Sequence, residues 1–266
     1  MFYNALPGLN FLARMATASI QSARAPEDRS APTQRSAAEG RNLIIGLLPP
    51  HEQAAVLGRS EMVTVESKEL VFSREQPISH VYFPEDGVIS LVTEMEDGDQ
   101  VEAMTVGCDG FVGMAVFHDA PSSRLKAIGQ ITGEARRIPA ADFRSLAAQY
   151  DTFRRLLHRY SQFVFETVSQ SAACNRLHVI EQRCARWLLM SEDRVGRNRF
   201  DLTQEFLAEM LGVRRPGVTV AMGVLEKAGL ITHGRGNITI IDRAGLEKVA
   251  CECYRTIIDR QKKLIR

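Results

Sequence analysis

The spacing of the apolar residues changes at Pro139, and this change most constrains how the 266-residue chain can fold. Before Pro139, short strand-like runs alternate with turn residues such as Asp86-Gly87 and Asp97-Gly98. Glycine accepts a positive φ without steric cost, so these pairs predict tight hairpins. The runs are MVTVES, ELVFSR, HVYFPEDGVISLVTEM, QVEAMTVG, FVGMAVF and LKAIGQITGEARRIP. Short runs at roughly even spacing predict an antiparallel barrel or roll.

Two segments precede this region and differ sharply in composition. Residues 16–41 are rich in Ala, Ser, Arg and Pro and contain almost no large apolar residue, so we expect them to be disordered. From Leu43 onward the chain becomes apolar, and Pro49-Pro50 predicts a short helix that stops and restarts.

After Pro139 the pattern is helical as far as about residue 177, with one apolar stripe whose spacing is close to 3.5 residues. That spacing is typical of a seam between two helices. We expect the stripe to pair with that of a second copy, although a core helix of a single domain would show the same pattern. The predicted seam consists of Phe153, Leu156, Leu157, Tyr160, Phe163, Val164 and Thr167.

Residues 203–240 show the pattern of a helix-turn-helix followed by a hairpin. Thr203 is a suitable N-cap for a first helix, and Gly212 is suited to the turn after it. Val218, Met222 and Leu225 lie at i, i+4 and i+7, so they should hold the second helix to the first. The hairpin LITHGRGNITII that follows predicts the wing of a winged helix.

The start of the second helix has the chemistry of a DNA-reading surface. Arg214 and Arg215 stand at a helix N-terminus, where free N–H groups and the helix dipole already favour phosphate. Side chains of that first turn reach base edges when such a helix lies in the major groove. Pro216 is tolerated there because its missing N–H would have no partner. The predicted DNA-binding residues are Thr203, Gln204, Arg214, Arg215, Gly217, Thr219, Val220 and Arg235.

Charge is unevenly distributed along a chain whose formal net charge is only +1. Residues 61–110 contain twelve acidic and two basic residues, whereas residues 199–266 contain twelve basic and eight acidic residues. The basic part suits an anionic partner, while the acidic part either forms a distinct module or is simply solvated. Five scattered cysteines do not resemble a secreted disulfide framework, and Cys251-Glu252-Cys253 lacks the two-residue spacer of a zinc knuckle. We therefore expect buried thiols, no metal or other cofactor, and a cytoplasmic location.

The order of these patterns from about Leu43 to Leu246, and above all GVRRPGVTVA with a C-terminal ACECY, resembles the Crp/Fnr superfamily of bacterial transcription regulators. The resemblance implies a non-enzymatic homodimer that binds double-stranded promoter DNA, contacts RNA polymerase and can carry a small-molecule effector. We predict an α+β protein: a disordered extension at 1–41, an antiparallel β-roll at 42–150, a dimerisation helix at 151–178, a winged helix-turn-helix at 179–248 and a C-terminal helix at 249–266.

The effector loop departs from what the resemblance implies for cyclic AMP. Nucleotide-binding members carry a glutamate for the ribose where this chain has Phe111, and a hydroxyl residue where Leu125 follows Arg124. No cysteine precedes Cys108, so the cysteine cluster of oxygen-sensing members is absent. The residues matching the effector pocket are Gly110, Phe111, Val112, Gly113, Arg124, Val168 and Ser169. We expect a regulator that does not respond to cyclic AMP.

Two other functions fit parts of the pattern. A winged helix can bind a protein partner instead of DNA, and a roll can serve a cupin-like metalloenzyme. The enzyme needs two or three clustered histidines with a carboxylate, whereas His51, His80 and His118 are isolated in the sequence. Binding to promoter DNA, measured against salt concentration, would separate these functions from DNA binding.

Overall fold

The computed structural model describes residues 41–234 and 236–265. The extension that we predicted to be disordered lies outside this range, except for its last residue, and so does Arg235. The described chain begins with two short helices, α1 (Leu43–Gly46) and α2 (Pro50–Gly58), interrupted at the predicted prolines. Buried Asn42 caps α1 by accepting from the backbone N–H of Ile44, and its side-chain amide donates to the carbonyl of Gly110 at 2.8 Å.

Seven antiparallel strands form the predicted roll. They are β1 (Glu61–Val65), β2 (Leu70–Phe72), β3 (His80–Pro84), β4 (Val88–Glu94), β5 (Gln100–Val106), β6 (Lys126–Ile131) and β7 (Gly133–Pro139). One sheet has the order β1-β7-β3 and the other β2-β6-β4-β5. The β4–β5 hairpin turns at the predicted Asp97-Gly98, where Gly98 has a φ of 89°. The sheets face each other across buried side chains such as Val81, Phe83 and Val92.

The run FVGMAVF is not a strand, so this part of the prediction was wrong. Gly113 has a φ of 111° and starts a single helical turn, α3 (Met114–Phe117). Only Val112 keeps a β-type contact, an isolated bridge to Tyr82. A short, continuously apolar run has no periodicity that separates a strand from a buried helical turn.

Three helices follow the roll: α4 (Ala140–Gln149), α5 (Asp151–Leu177) and α6 (Ile180–Val195). The predicted continuous helix is therefore divided at Tyr150, whose φ of −112° and ψ of 110° are extended. Glu52 of α2 accepts hydrogen bonds from the backbone of Thr152 and Phe153, which satisfies free donors at the start of α5.

The predicted dimer seam is buried within one chain. Phe153, Leu157 and Tyr160 are at most 1% exposed and contribute to the same core as the roll. Among the seven seam residues only Val164 is more than slightly exposed, and it too packs against this core. The six buried members are Phe153, Leu156, Leu157, Tyr160, Phe163 and Thr167. The expectation that these side chains face a second copy was wrong, because a helical stripe does not identify what covers it.

The winged helix is present as predicted. It comprises β8 (Arg199–Asp201), α7 (Gln204–Leu211), α8 (Arg215–Lys227), β9 (Ile231–His233) and β10 (Asn237–Ile240). The strands form an antiparallel sheet in the order β8-β10-β9, and β8 is a strand that the sequence patterns did not reveal.

Two helices follow the winged helix, and the second of them corresponds to the C-terminal helix predicted at 249–266. These are α9 (Arg243–Val249) and α10 (Cys253–Ile265), with Cys251 and Glu252 between them. Arg243 holds this region to α6 through ion pairs with Glu192 and Asp193, both at 2.6 Å. No helix in the described part of the chain is long and apolar enough to cross a membrane.

Candidate nucleic-acid interface

The turn between α7 and α8 is built by the residues that the sequence identified. The Thr203 hydroxyl accepts a hydrogen bond from the backbone N–H of Phe206 at 3.2 Å, so Thr203 is the N-cap of α7. Gly212 ends α7 with a φ of 61°, which favours glycine over residues with a Cβ. The chain can therefore reverse direction within three residues and begin α8.

One face of α8 is buried against the rest of the winged helix. Val218, Ala221, Met222 and Leu225 are at most 1% exposed. The prediction that Val218, Met222 and Leu225 hold the helix in place is therefore confirmed. Since burial of each large side chain stabilises by about 1.5–3 kcal/mol, this face fixes the orientation of the opposite one.

The opposite face carries cations at its N-terminus. Arg214 is the N-cap in extended conformation, Arg215 begins the helix, and Pro216 lies in the first turn. All three are exposed, and among the described residues neither guanidinium has an ion-pair partner. No side chain of the described residues caps α8. Pro216 has no N–H, and the N–H of Gly217 donates to the carbonyl of Arg214 at 2.9 Å, so the positive charge at this end comes from the two guanidinium groups and the helix dipole. This arrangement suits a phosphate-bearing polyanion.

Farther along the exposed face of α8, one polar contact connects α8 to α7. The Thr219 hydroxyl donates to Oε1 of Gln204 at 2.8 Å, so these two predicted residues lie together at the junction of α7 and α8. Val220 is 62% exposed and Val224 39%, which leaves apolar methyl groups on the surface beside the polar pair. Such groups can contact a thymine methyl but cannot hydrogen-bond a base.

Gly217 does not belong to this exposed surface. A Cβ at Gly217 would lie 3.2 Å from Cδ1 of Ile180, so this glycine faces α6 and lets the two helices pack closely. The expectation that it faces DNA was wrong: it lies between the exposed Pro216 and the buried Val218, on the flank of the helix. The wing-tip Arg235 lies outside the described residues.

The loop that matches the effector pocket is filled by aromatic rings. Phe111 is 1% exposed and its ring lies 5.1 Å from that of Tyr160 and 5.6 Å from that of Phe83, centroid to centroid. Gly110 makes this packing feasible, because a Cβ there would lie 2.0 Å from the Tyr160 hydroxyl oxygen. Val112 is also fully buried, and Gly113 starts α3.

The other predicted pocket residues lie elsewhere. The Arg124 side chain is 85% exposed and faces Glu75 at 3.9 Å. Val168 is 38% exposed, and Ser169 lines a groove between α5 and α10 that also contains Gln170 and Arg260. The structure thus brings Gly110, Phe111, Val112 and Gly113 together in one loop but separates them from these three residues.

A buried ion pair joins the effector loop to the helix that opens the winged-helix region. Arg194 of α6 donates from Nη2 to Oδ2 of Asp109 at 3.0 Å and from Nη1 to the Thr105 hydroxyl at 2.8 Å. Both charged side chains are at most 10% exposed. Sequence patterns missed this pair because its members lie 85 positions apart.

A second contact between the roll and α6 involves Glu102 of β5. Its carboxylate accepts hydrogen bonds from the Trp187 indole of α6 at 3.2 Å and from the Ser90 hydroxyl at 2.9 Å. Burial of the carboxyl group raises the pKa of Glu102 to about 7. The two hydrogen bonds and the charges of Arg194 and Arg186 lower the pKa, but burial has the larger effect. The carboxyl group therefore titrates near neutral pH.

Comparison with protein families matches both parts of the chain. The model described as a cyclic nucleotide-binding domain matches residues 62–150, which contain the roll and α4. The model described as a Crp-like helix-turn-helix domain matches residues 182–249, which contain most of α6 and the winged helix. Comparison with curated proteins gave no match.

Several solved structures share the fold. A CRP-family transcriptional regulator from Thermus thermophilus is 18% identical with a TM-score of 0.60, over 71% of this chain and 96% of its own. FixK2 from Bradyrhizobium japonicum is 17% identical with a TM-score of 0.59, over 72% and 98%. The c-di-GMP responsive global regulator CLP of Xanthomonas campestris is 16% identical with a TM-score of 0.58, over 72% and 99%.

The fold and the exposed helix define a two-domain protein in which a β-roll precedes a helix-turn-helix DNA-binding domain. The chain thus contains a cyclic nucleotide-binding domain followed by a Crp-like helix-turn-helix domain, and it shares its fold with transcription regulators of the CRP family.

Proposed function

We propose that the protein regulates transcription as a homodimer that inserts α8 of each copy into the major groove of promoter DNA. The observation that carries this proposal is the exposed start of α8, where Arg214 and Arg215 are both exposed and have no ion-pair partner among the described residues. Arg215 lies in the first helical turn and is the residue that we assign to a guanine edge. Arg214 is assigned to phosphate, and Thr219 with Val220 to neighbouring base edges.

The homodimer is proposed to form through a different face of α5 from the one predicted. Phe165 is 69% exposed and Val168 38% exposed, and His158, Ser161 and Ala172 continue the same stripe at alternating spacings of three and four residues. That spacing is typical of helix pairs that supercoil around each other. A symmetric dimer would place two copies of α8 on two half-sites about 34–36 Å apart.

The proposed effector is not cyclic AMP. Phe111 fills the space inside its loop with a phenyl ring packed on Phe83 and Tyr160, and Arg124 faces Glu75. A ribose hydroxyl and a cyclic phosphate would therefore lack their usual carboxylate and guanidinium partners. The loop is instead proposed to act on the winged helix through Asp109 and its ion pair with Arg194.

The proposed partners also include RNA polymerase, as for a promoter-bound regulator, and the proposed location is the cytoplasm. All five cysteines are free thiols, which suits a reducing compartment. The alternative is a winged helix that binds a protein partner. Such a protein would not select a duplex in a DNA-binding experiment.

The test uses duplexes that the full-length protein selects from a randomised DNA pool, with the dissociation constant measured over a range of salt concentrations. A dimer that neutralises four or more phosphates should give a slope of about −4 or steeper for log K against log salt. Failure to enrich any duplex, or a slope near zero, would favour the protein-binding alternative.

A further inference from the structure

Three cysteines and one histidine converge where the long helix α5 ends. Cys174 lies in the last turn of α5 and His178 follows as its C-cap. Cys251 lies in the link between α9 and α10, and Cys253 begins α10. Their sulfur atoms and one ring nitrogen all lie within 4.8 Å of one another. The three cysteines are at most 3% exposed, so the cluster is sheltered from solvent.

We propose that Cys174, His178, Cys251 and Cys253 form a mononuclear zinc site. Cys174 Sγ lies 3.5 Å from Cys251 Sγ, and Cys253 Sγ lies 3.5 Å from Nδ1 of His178. Zinc bonds of about 2.3 Å to sulfur and about 2.0–2.1 Å to nitrogen place tetrahedral ligand atoms roughly 3.5–3.8 Å apart. The four ligand atoms therefore need little movement to surround one ion.

The surroundings of His178 match those of a zinc ligand. Its Nδ1 faces the sulfur atoms, while its Nε2 lies 3.1 Å from a carboxylate oxygen of Glu252. A carboxylate that accepts from Nε2–H fixes the tautomer in which the Nδ1 lone pair is free for a metal. Since Glu252 stands between Cys251 and Cys253, one short segment supplies two ligands and the group that orients a third.

Two further polar side chains, Gln170 and Arg186, lie near the sulfur atoms. The side-chain amide of Gln170 donates to Cys253 Sγ at 3.0 Å. Three thiolates with Zn²⁺ carry one net negative charge, which the 6%-exposed Arg186 is placed to balance.

The ligand set favours zinc with a structural role. Cys₃His is a closed tetrahedral set that leaves no position for a substrate or water. A cluster of several iron and sulfide ions needs space inside the ligand set, and ligand atoms within 4.8 Å of one another provide room for one ion only. A disulfide between Cys174 and Cys251 would use two of these groups. It would not account for the contacts of His178 with Cys253 and Glu252.

The location suggests what the ion would hold together. His178 and Val179 are the two residues that link α5 to α6. Cys253 begins the C-terminal helix α10, which packs along α5, and Cys251 lies just before it. A metal bound here would join α10 to this link, and would fix the direction in which α6 and the winged helix leave the long helix. This role goes beyond the proposed function, because it does not depend on the DNA sequence or the effector.

The test uses full-length protein, reduced, loaded with Zn²⁺ and washed with a weak chelator. Elemental analysis should find one zinc per chain, and Co²⁺ in its place should give the visible absorption of tetrahedral thiolate coordination. Cys253→Ser should lower zinc affinity at least tenfold. Cys108→Ser, which removes a thiol outside the cluster, is the matched control and should retain one zinc. Glu252→Gln should weaken binding by about 10–100-fold while leaving all four ligands in place.

Two results would overturn the proposal. One is reduced wild-type protein that takes up neither Zn²⁺ nor Co²⁺ beyond the level of Cys253→Ser. The other is freshly isolated protein with a Cys174–Cys251 disulfide and, after reduction, no metal uptake, which would make the cluster a redox pair. Because the Co²⁺ spectrum is measured on the wild-type chain, misfolding of a variant does not affect this arm.

Discussion

Arg194 and Asp109 form a buried ion pair that connects the helix leading into the DNA-binding domain with the loop of the roll that matches an effector pocket. Their closest oxygen and nitrogen atoms are 3.0 Å apart, and Thr105 accepts a further hydrogen bond from the same guanidinium. A conformational change in the loop must therefore either disturb this ion pair with α6 or be opposed by it. This pair is one of several contacts through which the two domains can affect each other, together with the hydrogen bond from Trp187 to Glu102.

Replacing Asp109 with Asn should destabilise the protein by roughly 3–5 kcal/mol, because the Arg194 charge would remain buried without its counter-ion. The free energy of unfolding in urea measures this effect. Asp259→Asn, on the exposed surface of α10, is the control and should change stability by less than about 0.5 kcal/mol. Equal stability of the two variants would show that the pair contributes little.

Glu102 should make stability depend on pH. Its pKa is raised to about 7 in the folded chain by burial, above the ordinary value of 4.5. Between these values the folded chain holds a proton that the unfolded chain has released, so the free energy of unfolding falls as pH rises through this window. Below about pH 4.5 the contribution is complete, and it is lost above the folded pKa.

Glu102→Gln should remove this contribution while keeping an acceptor for Trp187. As pH rises from about 5 to about 8, the free energy of unfolding of the variant should fall less than that of wild type, by on the order of 1–3 kcal/mol. Glu209→Gln, at an exposed position of α7, should behave like wild type. The same pH slope in both variants would contradict an assignment to Glu102.

The local features of the DNA-binding domain could be predicted from the sequence because they depend on neighbours in the chain. A cap at Thr203, a left-handed turn at Gly212 and an apolar face from Val218 to Leu225 each act within a few residues. The hairpin glycines of the roll are equally local. Gly217 was misplaced because a helical flank cannot be assigned without knowing that Ile180 lies beneath it.

Long-range contacts could not be predicted in the same way. The stripe containing Tyr160 indicated a buried face, but only the fold reveals that Phe111 and the roll cover it. The Cys174–Cys251 contact joins residues 77 positions apart, and the single-residue spacer before Cys253 gave no indication of a metal site. Spacing along the chain detects metal sites only when both ligands of a pair lie on one turn.

The proposed dimer face predicts that Phe165→Glu weakens association at least tenfold. Phe165 is 69% exposed in one chain, so a charge there should not disturb folding but should oppose burial between two copies of α5. Sedimentation velocity over a range of concentrations measures the effect. Leu70→Glu, at a 54%-exposed position of β2, serves as the control. A dimer of unchanged affinity would place the interface elsewhere.

Cyclic AMP should not stabilise the protein. A ligand present at about one hundred times its Kd adds about 2.7 kcal/mol to the stability of the folded state, which thermal unfolding detects readily. We expect no shift of Tm with cyclic AMP beyond that with 5′-AMP, since Phe111 occupies the interior of the loop. A clear shift specific to the cyclic nucleotide would mean that the loop rearranges to admit it.

The most direct test of the account is the effect of Arg215→Ala on a duplex that the wild-type protein has selected. Loss of a bidentate contact to guanine should weaken binding to this duplex by about 1–3 kcal/mol and relax the preference at one base position in each half-site. Arg59→Ala, at an exposed arginine that follows α2, should leave both affinity and preference unchanged. If Arg215→Ala binds and footprints like wild type, α8 is not the helix that reads the DNA.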